Sequence, residues 1–260
     1  MSKILTSNQR IAAFEALGHI MAKPDEQLNA LINAAHQYNA WFTPESAAKA
    51  VSAIAGMLNK SDLENWLKNE SEGNEGKMLS IGLILAGNIP IVGFHDIFCV
   101  LASGHKALIK LSSQDQKFIP YLLNKLVEIE PGFEQQISYI DRLKDFDAVI
   151  ATGSNNTSRY FDYYFSKVPH IIRKNRNSVA VLNGQESREE LKALGHDIFD
   201  YFGLGCRNVS KIYVPQGYDF RTFFESIEEF KSVADHHKYN NNYDYNKSIF
   251  LVNLDKHLDN

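Results

Sequence analysis

At 260 residues the chain is long enough to bury one large core or two modest ones. With 44% hydrophobic and 22% charged residues and a net charge of −4, it is neither a disordered chain nor one with the basic balance of a nucleic-acid binder. Its two cysteines, Cys99 and Cys206, lie too far apart for a disulfide framework or a zinc spacing and fit a reducing compartment.

The first ten residues lack the apolar centre of a signal peptide, so the cytoplasm is the expected location. Apolar residues at helical spacing predict helices over 8–22, 25–38, 44–58 behind a Thr43 cap, and 62–67 behind a Ser61 cap. The polar segment 69–77 reads as a boundary. Beyond it short apolar runs alternate with helical patterns, which predicts a parallel α/β sheet. Strands are expected over 78–86, 107–111, 136–140, 148–152, 178–182, 211–214 and 248–253, and helices over 91–103, 116–128, 156–166, 188–201 and 220–231. The apolar stretch 81–94 is broken by Asn88 and Pro90 and is too short to span a bilayer. The Asn-rich run 240–246 reads as an exposed loop, and His236-His237 as solvent-facing histidines rather than a metal site. Cys99 reads as packing on a buried helix. In the aromatic run 160–165, packing of a helix on the sheet is favoured over the edge of an acyl tunnel.

Three junctions at strand ends carry chemistry, because ligands of open α/β sheets bind at the carboxyl ends of strands. In Gly87-Asn88-Ile89-Pro90 the Asn88 amide is either a donor to an oxyanion or a helix cap. The strand ending at Lys110 with Ser112 and Ser113 either holds a ribose or phosphate, or is a solvated lysine beside a serine cap. The Thr152-Gly153-Ser154 turn either meets a pyrophosphate or is an ordinary cap. No Gly-x-Gly-x-x-Gly follows a strand, so the common dinucleotide fingerprint is absent. Cys206, in Gly203-Leu204-Gly205-Cys206 between a helix and a strand, is either a nucleophile on a sharp turn or a buried small hydrophobe.

Taken in order, Gly87–Pro90, Lys110–Ser113, Thr152–Ser154 and Gly203–Cys206 resemble the aldehyde dehydrogenase superfamily, and more narrowly the LuxC-type fatty acyl-CoA reductases. The likeness is closest over 79–215, where 151–161 and 172–182 look characteristic of the acyl reductase branch. The resemblance implies an aldehyde-dehydrogenase-like parallel sheet flanked by helices. An N-terminal helical section (1–70), a nucleotide-binding α/β domain (71–182) and a catalytic α/β domain (183–260) are expected. It implies an acylating, CoA-dependent oxidoreductase in which Cys206 attacks the thioester of an acyl-CoA. Asn88 and the Cys206 backbone amide would form the oxyanion hole, with Lys110, Ser112, Ser113, Gly153 and Ser154 at the cofactor. Hydride from NADP(H) then releases an aldehyde. A free thiol is only a few per cent thiolate at neutral pH, so the nucleophile needs activation, with Arg207 as one candidate cation.

Two departures from ordinary aldehyde dehydrogenases matter. Where hydrolytic members carry a glutamate in Glu-Leu-Gly-Gly, this chain has Arg173-Lys174-Asn175-Arg176, so the base that activates water is missing and exchange with coenzyme A is favoured. These basic residues either meet coenzyme A phosphates or form a solvated turn. Where many NAD-dependent members have a carboxylate that would repel a 2′-phosphate, this chain has Ser113, which favours NADP(H). Family members extend further than Asn260, so a C-terminally incomplete catalytic section is expected. The partner implied is an acyl thioester, with no nucleic acid and no membrane span, and a homo-oligomer is compatible with it. The alternatives are a reductase of another activated acyl substrate and a non-catalytic nucleotide-binding or assembly module.

Overall fold

The computed structural model describes residues 5–68 and 77–254, so the expected boundary segment lies, but for Lys77, outside the described residues. The chain divides into two compact units, Met1–Asn175 and Arg176–Asn260.

The first unit opens with four helices: α1 (Ser7–Ala22), α2 (Glu26–Tyr38), α3 (Pro44–Met57) and α4 (Lys60–Leu67). Each begins where a polar side chain accepts a first-turn amide: Thr6 in a capping box with Gln9, then Asp25, Thr43 and Asn59. The fourth helix therefore starts at Lys60 on Asn59, rather than on Ser61 as expected. Next come β1 (Ser80–Ile84), α5 (Phe94–Ala102), β2 (Lys106–Lys110), α6 (Phe118–Ile129), β3 (Ile137–Tyr139), β4 (Ala148–Thr152), α7 (Asn155–Phe165) and β5 (His170–Arg173). The strands form one all-parallel sheet in the order β3-β2-β1-β4-β5. Ile81–Leu83 and Ala107–Ile109 are buried, as the inner strands of a sheet covered on both faces require. Phe14 of α1 packs edge-on to Phe98 of α5 at 4.9 Å and to Phe133 at 5.6 Å, and buried Arg10 donates to the Ala102 carbonyl at 2.6 Å. The N-terminal helices thus share the core of the sheet.

The second unit holds β6 (Ser178–Val181), α8 (Arg188–Phe199), β7 (Val209–Tyr213), α9 (Phe220–Ile227) and α10 (His237–Val252). β6 and β7 pair in parallel, and Leu182, Leu191 and Phe223 form its buried centre, with Ile212 and Val214 packed against them. The parallel α/β class read from the alternation stands.

Two sequence expectations are corrected. The run 248–253 is not a strand, and 240–246 is not a loop; both lie in α10. A cluster of Ile249, Phe250, Leu251 and Val252 reads locally as strand, but these residues are 40–82% exposed and continue the hydrogen bonds of a helix opened at His237. Conversely, β5 escaped notice because it is only four residues long and follows Pro169. Among the described residues no helix is long and apolar enough to cross a membrane.

Candidate functional site

In the first unit, β1 and β4 are neighbours in the sheet although β2 and β3 lie between them in the chain, so the topology reverses between them. In open α/β sheets the crevice for a ligand lies at the carboxyl ends of the strands at such a reversal. β1 runs into Gly87-Asn88, β4 into Gly153-Ser154, and β2, on the other side of β1, ends at Lys110 before Ser112-Ser113. All three motifs therefore lie on one edge. The Gly87-Asn88 and Ser112-Ser113 junctions touch, because a Cβ on Gly87 would sit 2.5 Å from Ser112 Oγ.

The helix-cap reading of Asn88 does not hold. α5 begins at Phe94 rather than Ile91, and its N-cap is Gly93, with no side-chain bond. What shapes the Asn88 loop is a residue not singled out in the sequence. Ile91 has φ +50, a left-handed value that is costly for a β-branched residue, and its N–H donates to Asp115 Oδ2 at 2.8 Å. Asp115 is 5% exposed, and its Oδ1 has no hydrogen-bond partner among the described residues. Burial pushes its carboxyl up, against the opposing pull of the Ile91, Phe118 and Lys117 backbone N–H groups. A buried acid with a raised pKa opposes folding increasingly as pH rises through the ordinary carboxylate value near ~3.9. Asp115→Ala, which orphans the Ile91 N–H, is expected to cost about 1–3 kcal/mol in urea unfolding. Asp115→Asn keeps an acceptor without the charge, and should match or exceed the native stability at pH 7 and lose that advantage toward pH 3.

Lys110 is exposed at the end of β2, with its Nζ donating to the Asp141 carbonyl at 3.0 Å. Ser112 Oγ accepts from the Gln114 amide at 3.2 Å, and Ser113 is exposed. Ser154 is the N-cap of the eleven-residue α7, accepting from Thr157 N at 3.2 Å, so the capping reading of this residue is realised. A lysine, exposed hydroxyls and the start of a helix on one sheet edge form a donor set that suits the ribose and phosphates of a dinucleotide. In α7, Phe161 and Phe165 pack onto β4 while Tyr160, Tyr163 and Tyr164 are 65–78% exposed, so the aromatic run serves the core on one face only.

The edge is braced from beneath. Asp96 of α5, buried, forms an ion pair with Arg173 at the end of β5, and the Arg173 carbonyl accepts from Gly153 N at 3.1 Å. Burial alone would raise the Asp96 carboxyl, but His95 and Arg173 outweigh it and hold it below the usual range. His95 Nδ1 lies 3.7 Å from Asp96 Oδ1 and 3.8 Å from Cys99 Sγ. Asp96 first and then Cys99 raise the imidazole to about 10. Cys99 is thus half-buried beside a histidine rather than packed in the core. A carboxyl with a depressed pKa stabilises the fold above its ordinary value and loses that contribution as pH falls through the lower, folded one. Asp96→Asn should therefore cost stability at pH 7 and converge with the native protein toward pH 3 in urea titrations. Breaking a buried pair costs about 3–5 kcal/mol; Arg173 is 37% exposed, which screens this to about 1–3.

Lys174 pairs with Asp162 at 3.0 Å, so two of the three basic residues of the 173–176 turn are engaged within the chain. Among the described residues no group of three or more metal-ligating side chains occurs. His237 is exposed, whereas His236 is half-buried against Phe202 with ring centroids 4.3 Å apart.

In the second unit Cys206 is exposed, on a turn between α8 and β7, which removes the buried-hydrophobe reading. The approach is strained: Tyr201, Phe202 and Gly203 have φ of +53, +58 and +71 in succession. Left-handed backbone costs a non-glycine residue about 1–2 kcal/mol, and such strain concentrates at functional sites.

This architecture is the α/β fold of the aldehyde dehydrogenases. The chain is similar to proline utilization A (PutA) from Corynebacterium freiburgense, with TM-score 0.65 and 17% identity over 88% of this chain and 24% of that one. It is similar to an aldehyde dehydrogenase from Bacillus cereus solved as an NAD+ complex, with TM-score 0.59 and 15% identity over 86% of this chain and 50% of that one. A third likeness is to the aldehyde dehydrogenase KauB from Pseudomonas aeruginosa, with TM-score 0.60 and 13% identity over 88% of this chain and 51% of that one. The chain spans about half or less of the length of these solved structures. Within that fold it belongs to the acyl-CoA reductase (LuxC) family, whose model matches residues 6–232. No curated protein matches it.

Proposed function

We propose that this chain carries out acyl transfer from a fatty acyl-CoA to Cys206 as the first half of an NADPH-dependent reduction to the aldehyde. The observation that carries this reading is the position of Cys206: inside the family match, and exposed on a strained turn. The Cys206 thiolate attacks the thioester carbonyl, the carbonyl electrons move onto oxygen, and the coenzyme A thiolate leaves as the oxyanion collapses. The backbone N–H of Cys206 and the Asn88 amide act as donors to that oxygen.

We assign the sheet-bearing section from residue 71 to nucleotide binding and the C-terminal section to catalysis, with the boundary moved from residue 182 to 175 because β6 pairs with β7 in the second unit; Lys110, Ser112, Ser113, Gly153 and Ser154 hold NADPH. Bound NADPH supplies the hydride that takes the acyl-cysteine to the aldehyde level. The Cys206 sulfur then leaves as thiolate, and the aldehyde is released. Ser113 offers no negative charge against a 2′-phosphate, which favours NADPH over NADH. Arg173 and Lys174 stand where hydrolytic relatives carry their base, and both are tied to carboxylates, so neither activates water against the acyl-enzyme. A free thiol in this role suits the reducing conditions of the cytoplasm.

Loss of NADPH absorbance with acyl-CoAs of graded chain length tests the proposal. Turnover that rises with chain length and is faster with NADPH than NADH is expected; acyl-CoA consumption without NADPH loss, yielding free acid, would contradict it.

A further inference from the structure

The turn that bears Cys206 is held by one side chain. Asn208 Oδ1 accepts from the Gly205 N–H at 2.7 Å, and Nδ2 donates to the carbonyls of Asp197 at 2.9 Å and Asp200 at 3.0 Å. The Asn208 backbone N–H donates to the Gly205 carbonyl at 3.1 Å, and its carbonyl accepts from Ser178 N at 2.9 Å. Oδ1 faces a donor and Nδ2 faces two acceptors, so the reversed amide would oppose like groups on both sides.

These bonds clamp both ends of the strained path. Asp200 directly precedes the left-handed run Tyr201–Gly203, and Gly205 follows it. Strained backbone of this kind persists only where its surroundings over-determine it. Gly205 supplies a second, independent sign of the same constraint, since a Cβ there would lie 2.7 Å from Asn208 Oδ1. Among the described residues no hydrogen bond uses the Cys206 N–H, so that donor stays available while Asn208 holds Gly205, directly before it, and Asp200, further up the chain.

We infer that Asn208 is the positioning residue of the nucleophilic turn. It sets the direction of the Cys206 N–H and thiol so that an attacked carbonyl meets both in one geometry. This rests on the acyl-transfer reading above. Only an amide meets the demand: aspartate would accept from Gly205 but repel the two carbonyls, and alanine would release both ends of the clamp.

The test separates positioning from folding by comparing two reagents on the full chain. Acylation by p-nitrophenyl acetate develops an oxyanion; alkylation by iodoacetamide does not. Asn208→Ala and Asn208→Asp are expected to slow acylation about ten- to a hundredfold, the scale of an ångström-level misplacement, while alkylation changes by less than about threefold. Gly205→Ala should reproduce this split. If Asn208→Ala fails to fold by circular dichroism, Asn208→Ser, which keeps one acceptor, carries the comparison.

Equal slowing with both reagents, or no change with either, overturns the assignment. Native protein acylated by the nitrophenyl ester but inert to octanoyl-CoA would remove the acyl-CoA reading and leave Asn208 in its role. Native protein alkylated by iodoacetamide but acylated by neither donor would overturn both.

Discussion

Cys206→Ala is expected to abolish acyl transfer and aldehyde formation while leaving the fold intact. The expected loss is at least about 10⁴-fold, because removing a covalent nucleophile leaves only binding and oxyanion stabilisation to accelerate the reaction. The stability change should stay within about 0.5 kcal/mol, since the side chain is exposed and closes no core. Cys99→Ala is the matched control. That thiol sits half-buried on α5 beside His95, outside the turn, so its removal should leave acyl transfer within about twofold of native. Intact acyl transfer in Cys206→Ala, or its loss in Cys99→Ala, would move the chemistry to the wrong sulfur.

The second large effect is expected at Asn88. Deleting one oxyanion donor costs about 10²–10³ in rate, or about 2.7–4 kcal/mol of transition-state stabilisation. With Asn88 in its proposed role as an oxyanion donor, Asn88→Ala should therefore slow single-turnover acylation by that factor while leaving acyl-CoA binding nearly unchanged, because such a bond strengthens only as the carbonyl oxygen gains charge. Asn88→Asp should be worse than alanine, since it places a negative charge beside a developing one. A fraying helix would not produce this pattern: α5 is headed by Gly93, five residues beyond Asn88, with no side-chain cap. Equal loss of binding and rate would assign Asn88 a structural role instead.

Much of this architecture is written in local sequence. Asp25 and Thr43 announce their helices because a short polar side chain followed by an amphipathic run has one low-energy reading. β1 and β2 are legible because strands buried on both faces must be apolar at their centres, and β4 because its apolar run ends at the Thr152-Gly153 turn. The failures are equally physical. The segment 248–252 has the composition of a strand, but strand is realised only by pairing, and the amides of those residues bond along their own helix instead. The site residues that escaped notice act at long range. Asp96 is defined by Arg173, seventy-seven positions away, and Asp115 by Ile91, twenty-four away. Asn208 was within view of Cys206, yet its meaning lies in the carbonyls of Asp197 and Asp200, whose direction follows from a left-handed turn that residue types such as Tyr201 and Phe202 do not advertise.

The most direct measurement is the intact mass of the protein after mixing with a fatty acyl-CoA in the absence of NADPH, followed by peptide mapping. A gain of one acyl group located on Cys206, discharged by added coenzyme A and absent from Cys206→Ala, is the expected result. No gain, or an acyl group found on another residue, would contradict the assignment of Cys206 as the nucleophile.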